Sequence, residues 1–354
     1  NGISMKKYLD DAGTTPAADT DWFDETTRMG VIQQYNVSVS NGSDKGSSFF
    51  SLGYYKNLGI IKTSDFNRFS ARMNTEYKLL KNKMLTVGEH FTVNRTSEVQ
   101  APSGFLQNVL QFNPSLPIYT EDGNYAGPVG GYPDRYNPVA VLERNKDNRY
   151  TYWRMFGDAY LNINPFKGFN IRTTFGLDYS QKQQRIFTYP VTEGNVANSK
   201  NGVEAKQEHW TKWMWNAVAT YNMELGKNSI DLMAGMELNR EDDINFSGYK
   251  EGFSILNPDY MWPDAGTTNP QAYGGGSGYS LVSFFGKANY NYADKYMASF
   301  TIRRDGSSRF GKNNRYATFP SISVGWRINQ ENFLKKASWI DDLKIRASWG
   351  QTGN

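Results

Sequence analysis

Apolar and polar residues alternate along this chain with a period of two, stretch after stretch. Over 66–79, Phe69, Ala71, Met73, Thr75, Tyr77 and Leu79 fall on one face, and Arg68, Ser70, Arg72, Asn74, Glu76 and Lys78 on the other. Over 169–180, Phe169, Ile171, Thr173, Phe175, Leu177 and Tyr179 oppose Asn170, Arg172, Thr174, Gly176, Asp178 and Ser180. The same alternation recurs around Tyr35–Val39, Phe50–Tyr54, Trp153–Ile163, Trp213–Tyr221, Ile230–Leu238, Val282–Tyr290, Tyr296–Ile302, Ile322–Ile328 and Leu343–Trp349. A period of two is the mark of a β-strand with unlike faces. The pattern predicts about twelve strands, many near the roughly 9–11 residues that a tilted strand needs to cross a bilayer.

The connections predicted between these strands alternate in length. Short ones fall near Asn41–Gly46, Leu80–Lys83, Pro165–Gly168, Gly226–Asn228 and Ala293–Lys295. Long ones fall near Lys56–Asp65, Thr96–Asn148, Gln181–Glu208, Glu241–Gly278 and Asp305–Arg315. In an up-and-down meander every second connection lies on the same side. Short turns on one side and long loops on the other is the arrangement of an outer-membrane barrel, with the long loops outside. Tyr290, Tyr292 and Tyr296 flank one short turn, and Tyr77 and Tyr221 lie close to two others, as an interfacial aromatic girdle requires. The predicted fold class is all-β: a transmembrane antiparallel up-and-down β-barrel, incomplete at about twelve strands. Short helices are predicted at Gly104–Gln111, inside the longest loop, and at Gln330–Lys336.

Composition sharpens this reading. The 354 residues include 23 Tyr, 21 Phe, 9 Trp and 33 Gly but no Cys, and mean hydropathy is −0.66. Aromatic and Gly enrichment favours strands and turns over a soluble α/β enzyme. No stretch reaches the roughly 18–20 apolar residues of a membrane helix, which excludes helical membrane proteins and leaves barrels untouched. A net charge of +4 without a dense basic run speaks against nucleic acid. The opening at Asn1 without a leader, and the stop at Asn354 directly after a strand, read as an internal piece of a longer chain.

Catalytic constellations are not found. His90 and His209 are the only histidines, so no metal set is expected and no cofactor is implied. No nucleophile-elbow motif supports a triad. Gly274–Gly278 lacks the Lys-Ser/Thr ending of a phosphate loop and reads as a flexible loop. The chain is expected not to be an enzyme. Glu89 breaks the alternation, falling on the apolar face with Val87 and Phe91; either it sits near the interface or a bulge shifts the register.

Several segments resemble the SusC/RagA family of TonB-linked outer-membrane transporters. Residues 305–328 (DGSSRFGKNNRYATFPSISVGWRI) are similar to that family's late-barrel signature. So are Tyr35–Ser43, Ser51–Tyr55, Gly59–Asp65 and Leu343–Asn354, while Thr20–Glu25 resembles the link between plug and barrel. The resemblance implies residues 1–30 as a plug-to-barrel connecting segment and 31–354 as part of a plugged 22-stranded barrel in the outer membrane of a Gram-negative bacterium. It further implies energy through TonB, a SusD-like lipoprotein lid, and import of oligosaccharide or peptide cargo. Two alternatives stay open: a lidless receptor for a metal chelate, and a soluble β-rich carbohydrate-binding or structural protein. The paired faces weigh against the second.

Within that frame Arg68, Arg72, Arg172, Arg303, Arg327 and Arg346 are expected to face the lumen. They would either hold the plug or simply wet the wall. Loop aromatics Tyr132, Tyr136, Tyr260, Trp262 and Tyr273 are candidate substrate contacts, since sugar C–H faces stack on rings; alternatively they pack the loops together. A piece of a barrel has two unpaired edges, which lipid does not tolerate. Expressed alone, it is expected to aggregate.

Overall fold

The computed structural model describes residues 18–80, 84–129, 133–334 and 339–353. One antiparallel sheet dominates. Its strands are β1 (Val31–Ser43), β2 (Gly46–Leu58), β3 (Asp65–Leu79), β4 (Leu85–Val99), β5 (Arg149–Ile163) and β6 (Phe169–Thr188). A small hairpin follows, β7 (Val191–Glu193) and β8 (Val196–Asn198). The sheet then resumes with β9 (Gly202–Leu225), β10 (Asn228–Glu251), β11 (Thr268–Tyr292), β12 (Tyr296–Ser307), β13 (Tyr316–Arg327) and β14 (Lys344–Gly350). Twelve strands pair strictly in chain order, from β1 at one edge to β14 at the other, with only the β7–β8 hairpin set apart. The sheet is an open meander, the wall of a barrel without its closing seam.

Directly opposed residues in an antiparallel pair share a face, so the registers trace rows across the wall. One row runs Val39, Phe50, Met73, Phe91, Gly157, Leu177, Trp213. Another runs Leu232, Ala288, Phe300, Ile322, Trp349. These side chains are largely exposed; Phe50, Met73, Phe300 and Trp349 keep 43–59% of their surface. Large apolar rings standing exposed in register on one face require an apolar medium or a partner. The opposite face carries most of the polar and charged residues, interrupted by Phe156, Met214, Val218 and Phe285.

Glu89 lies on the apolar face by register. It pairs with Thr75 and Ala159 in an unbroken ladder, so no bulge rescues it. Instead the Thr75 hydroxyl donates a short hydrogen bond to its carboxylate. The residue sits four positions from the start of β4, toward the short-connection end.

Two of the predicted long loops are mostly strand. Residues 181–188 and 202–208 belong to β6 and β9, and 241–251 and 268–278 to β10 and β11. The stretch Gly274–Gly278, expected as a flexible loop, lies inside β11, with Gly274 opposite Phe246 and Gly276 opposite Ile244. β9 and β10 are 24 residues long and β11 is 25. At roughly 3.3 Å per residue they extend about 80 Å, far more than a tilted strand needs to cross a bilayer. Beyond the apolar band both faces meet water, so alternation lapses while ladder pairing continues. The predicted helix at 104–111 is present as α2 (Phe105–Gln111). The one predicted at 330–336 is instead a 3₁₀ turn at Ile328–Gln330, its last two positions falling outside the described residues.

Candidate functional site

The long-connection end carries a packed cap. Its parts are α1 (Trp22–Thr26), α2 and α3 (Pro138–Asn145), together with the β7–β8 hairpin. Trp22, Phe105, Val109, Phe112, Leu116 and Leu142 form its core, with Trp22 edge-on to Phe112 at 4.7 Å. Burying each such side chain contributes about 1.5–3 kcal/mol. The stretch 18–30 belongs to this cap. Trp22 Nε1 donates to the Asn113 carbonyl at 3.0 Å, and Arg28 donates to the Gly59 and Ser64 carbonyls at 3.0 and 2.7 Å. The segment therefore enters β1 from the long-connection end.

Asn137 and Glu193 tie the cap's loops together. Asn137 caps α3, accepting from the Val139 and Ala140 amides, and Pro138 occupies the first helical position, where its missing N–H is harmless. Its Nδ2 donates to the carbonyls of Ile118 and Ala126 at 2.9 and 2.8 Å. Its own amide donates to Glu193 Oε2 at 2.8 Å, while Arg144 Nη1 reaches Glu193 Oε1 at 2.5 Å. Glu193 is 1% exposed. The Asn-Pro pair before an apolar run was a readable cap signal; nothing local marks Glu193, whose role depends on a chain segment some fifty residues away.

A second clasp holds the β10–β11 connection. Arg185 donates to the Pro258 carbonyl at 2.7 Å and lies 4.2 Å from the Trp262 ring centroid. Phe187, Val203, Phe253 and Met261 close a small core beneath it. Asn201 takes the amides of Gly252 and Phe253 and returns a bond to the Phe253 carbonyl. Beside it, burial and the neighbouring Asp147 push the Tyr189 phenol up to about 12.

The candidate substrate aromatics that the structure describes lie in three places. Tyr260 and Trp262 share one turn, at 63% and 50% exposure. Trp262 has a ring face taken by Arg185, whereas Tyr260 stands free of ring contacts among the described residues. Tyr273 is on β11, not in a loop, 60% exposed, with its hydroxyl on Gln271 at 2.5 Å. Tyr136 lies apart in the cap, its ring under Arg144 at 5.9 Å and its carbonyl accepting from Asn108. Tyr132 lies outside the described residues.

The six arginines expected at the lumen all stand on the polar face by register. Most are already engaged. Arg172 sits 3.8 Å over the Tyr160 ring, whose hydroxyl donates to Glu76 at 2.7 Å. Arg303 donates to Asp305 and Ser283, Arg327 pairs with Asp342 at 3.1 Å, and Arg72 reaches Thr92 at 3.4 Å. Arg68 lies over Tyr55, and Arg346 is exposed beside Lys344 and Asp231. Sequence reading passed over Arg154, which grips Asp178 through two bonds of 2.9 and 2.6 Å, and the His90–Asp158 pair at 3.2 Å. Among the described residues no cluster of His, Cys, Asp and Glu could hold a metal ion.

A wall with one apolar and one charged face, short turns at one end and a capped loop layer at the other, defines a transmembrane β-barrel segment. Residues 94–354 match the family model "TonB dependent receptor-like, beta-barrel", and the chain belongs to that family. It is 31% identical to the TonB-dependent receptor SusC of Bacteroides thetaiotaomicron, aligning over 100% of this chain and 36% of that protein. It is 33% identical to TonB-dependent receptor P3 of Formosa agariphila, over 95% of this chain and 34% of that protein. The chain thus spans about a third of the length of these relatives. Among solved structures, the RagAB peptide transporter superposes with a TM-score of 0.76 at 22% identity, over 95% of this chain and 38% of that one. The ferric citrate transporter FecA follows the same fold more loosely, at TM-score 0.52 and 7% identity, over 86% and 40%.

Proposed function

We propose that this chain is part of the barrel of an outer-membrane, TonB-dependent importer of oligomeric nutrients. Its cargo class is oligosaccharide, and a SusD-like surface lipoprotein serves as its lid. Residues 31–354 form part of the barrel wall, and 1–30 the segment that leads into it. The observation that carries this reading is the exposed apolar face, whose parity the pairing registers carry from strand to strand across the sheet. Only a wall facing lipid explains so many exposed rings on one side and charge on the other. Membership of the TonB-dependent receptor family supports the energy source, and likeness to SusC supports the lid.

In the proposed cycle the polar face lines the passage. The Arg154–Asp178 and Arg303–Asp305 pairs keep their charges internally balanced, so the wall stays wet without gripping cargo at fixed points. The exposed rings of Tyr260 and Tyr273 offer flat faces for sugar C–H stacking, and neighbouring Asn and Gln side chains hydrogen-bond hydroxyls. Trp262 and Tyr136 serve chiefly to hold the loops.

Native mass spectrometry of the full-length protein, gently extracted from outer membranes, tests this reading. Co-purification with a surface lipoprotein and an oligosaccharide is the expected result. A bound peptide would keep the mechanism and overturn the sugar. Recovery with a metal chelate and no lipoprotein would favour the lidless receptor, and absence from the outer membrane would overturn the barrel.

A further inference from the structure

Arg95 is out of place. By register it lies on the apolar face, within the row Tyr35, Tyr54, Phe69, Arg95, Trp153 that crosses β1 to β5 toward the long-connection end. Directly below runs a second row, Val37, Leu52, Ala71, Val93, Met155. Ala71 is the short member of that row, so the surface dips there. The result is a cleft of about 570 Å³ whose lining is almost wholly apolar or aromatic and includes no carboxylate. Arg95 is its single charge.

Several other cations toward this end of the same face are satisfied from within the protein. Arg149 pairs with Asp65, Arg240 with Asp242, and Arg185 bonds the Pro258 carbonyl. Arg95 is exposed and, among the described residues, has no hydrogen-bond or ion-pair partner; its guanidinium lies 5.7 Å from the Trp153 ring centroid. A guanidinium facing lipid is unfavourable unless it reaches the interface and meets an anion. The ring of Trp153 holds the guanidinium within the aromatic row of Tyr35, Tyr54 and Phe69, and its donors, free among the described residues, suit a planar or tetrahedral oxyanion.

We propose that this cleft binds a phosphate-bearing membrane lipid of the outer leaflet, with its phosphate on Arg95 and an acyl chain lying over Ala71 and Leu52. The proposal rests on the reading that the apolar face meets the outer membrane. Arg304, 5.3 Å over Tyr316, is the nearest parallel, but the hollow beside Tyr316 holds only about 250 Å³ and cannot seat an acyl chain as well.

The test uses the full-length protein in phosphatidylcholine nanodiscs, titrated with bis-phosphorylated lipid A and read by native mass spectrometry. Arg95→Gln is expected to weaken retention of the tightest lipid A about five- to tenfold, and Arg95→Lys by less, as loss of one interfacial cation predicts. Arg304→Gln is expected to leave that lipid in place. Dephosphorylated lipid A should bind no better to wild type than to Arg95→Gln. Equal retention by wild type and Arg95→Gln, in protein that fractionates with the outer membrane, overturns the site while leaving the importer reading intact. Displacement by millimolar inorganic phosphate would overturn a lipid in favour of a free anion. Failure to fractionate with the outer membrane would instead overturn the reading beneath it.

Discussion

Replacing Glu193 with Ala should open the loop cap while leaving the wall intact. The substitution removes the carboxylate that pairs with Arg144 and accepts the Asn137 amide, both inside a layer where Glu193 itself is almost fully enclosed. Breaking a buried ion pair costs about 3–5 kcal/mol because the remaining charge stays desolvated. The Arg144 side chain keeps 22% exposure, so water relieves part of that cost. A loss of about 2–3 kcal/mol is the reasonable figure. Hydrogen exchange of the full-length protein in detergent reads it directly, as local opening is counted in the same free energy. Amides of 137–145 and 191–198 should exchange roughly thirty- to 150-fold faster, at about 1.4 kcal/mol per tenfold. Those of β3 and β10 should not change. Glu193→Gln keeps an acceptor and should cost about half as much. If Glu193→Ala accelerates cap exchange less than threefold, the network is not what holds the loops together. Equal acceleration in the strands would mean the cap is not a separable unit.

Four further outcomes follow from the geometry. Leu52→Arg, in the middle of the apolar face, should cost about 2–4 kcal/mol and sharply lower assembled, heat-modifiable barrel on gels, whereas Ser51→Arg next to it on the polar face should be nearly neutral; similar yields would refute the face assignment. Gly168→Ala should reduce assembly yield, because its Cβ would come 2.3 Å from the Asn222 carbonyl oxygen at a φ of +86°. Tyr260→Ala and Tyr273→Ala should each weaken oligosaccharide uptake several-fold, with Trp262→Ala acting instead through faster exchange in the β10–β11 connection; uptake unchanged in both tyrosine variants would place the cargo elsewhere. Tyr189, ordinarily near 10 and raised to about 12, stabilises the fold fully below pH 10 and loses that contribution as pH climbs toward 12, so the folded protein should show its phenolate absorbance late, and titration at the ordinary pH would refute the buried environment.

Much of the wall was legible in the chain itself. A strand that separates lipid from water must alternate, and the alternation at Arg68–Leu79 or Phe169–Ser180 states both the strand and its faces. Strand count, meander order and the short turns all follow from local pattern, because each strand pairs with its sequence neighbour. The polar-face arginines could be assigned by parity alone. The Gly104–Gln111 helix was also visible, as was the conflict at Glu89.

What the sequence could not determine lies where one of two conditions holds. Where water touches both faces, alternation is no longer required, so the upper halves of β9, β10 and β11 read as loops although ladder bonds keep them straight. Where the partners are distant in the chain, no local signal exists. Glu193 meets Asn137 and Arg144, Trp22 meets Phe112, and Arg185 meets Trp262 only once the loops are folded together. The direction from which residues 18–30 enter β1 was likewise settled by packing against α2 and α3. Local sequence determined the wall because a bilayer imposes a repeating boundary on every strand; tertiary contacts decided the cap because its stability comes from pairings that no repeating boundary imposes.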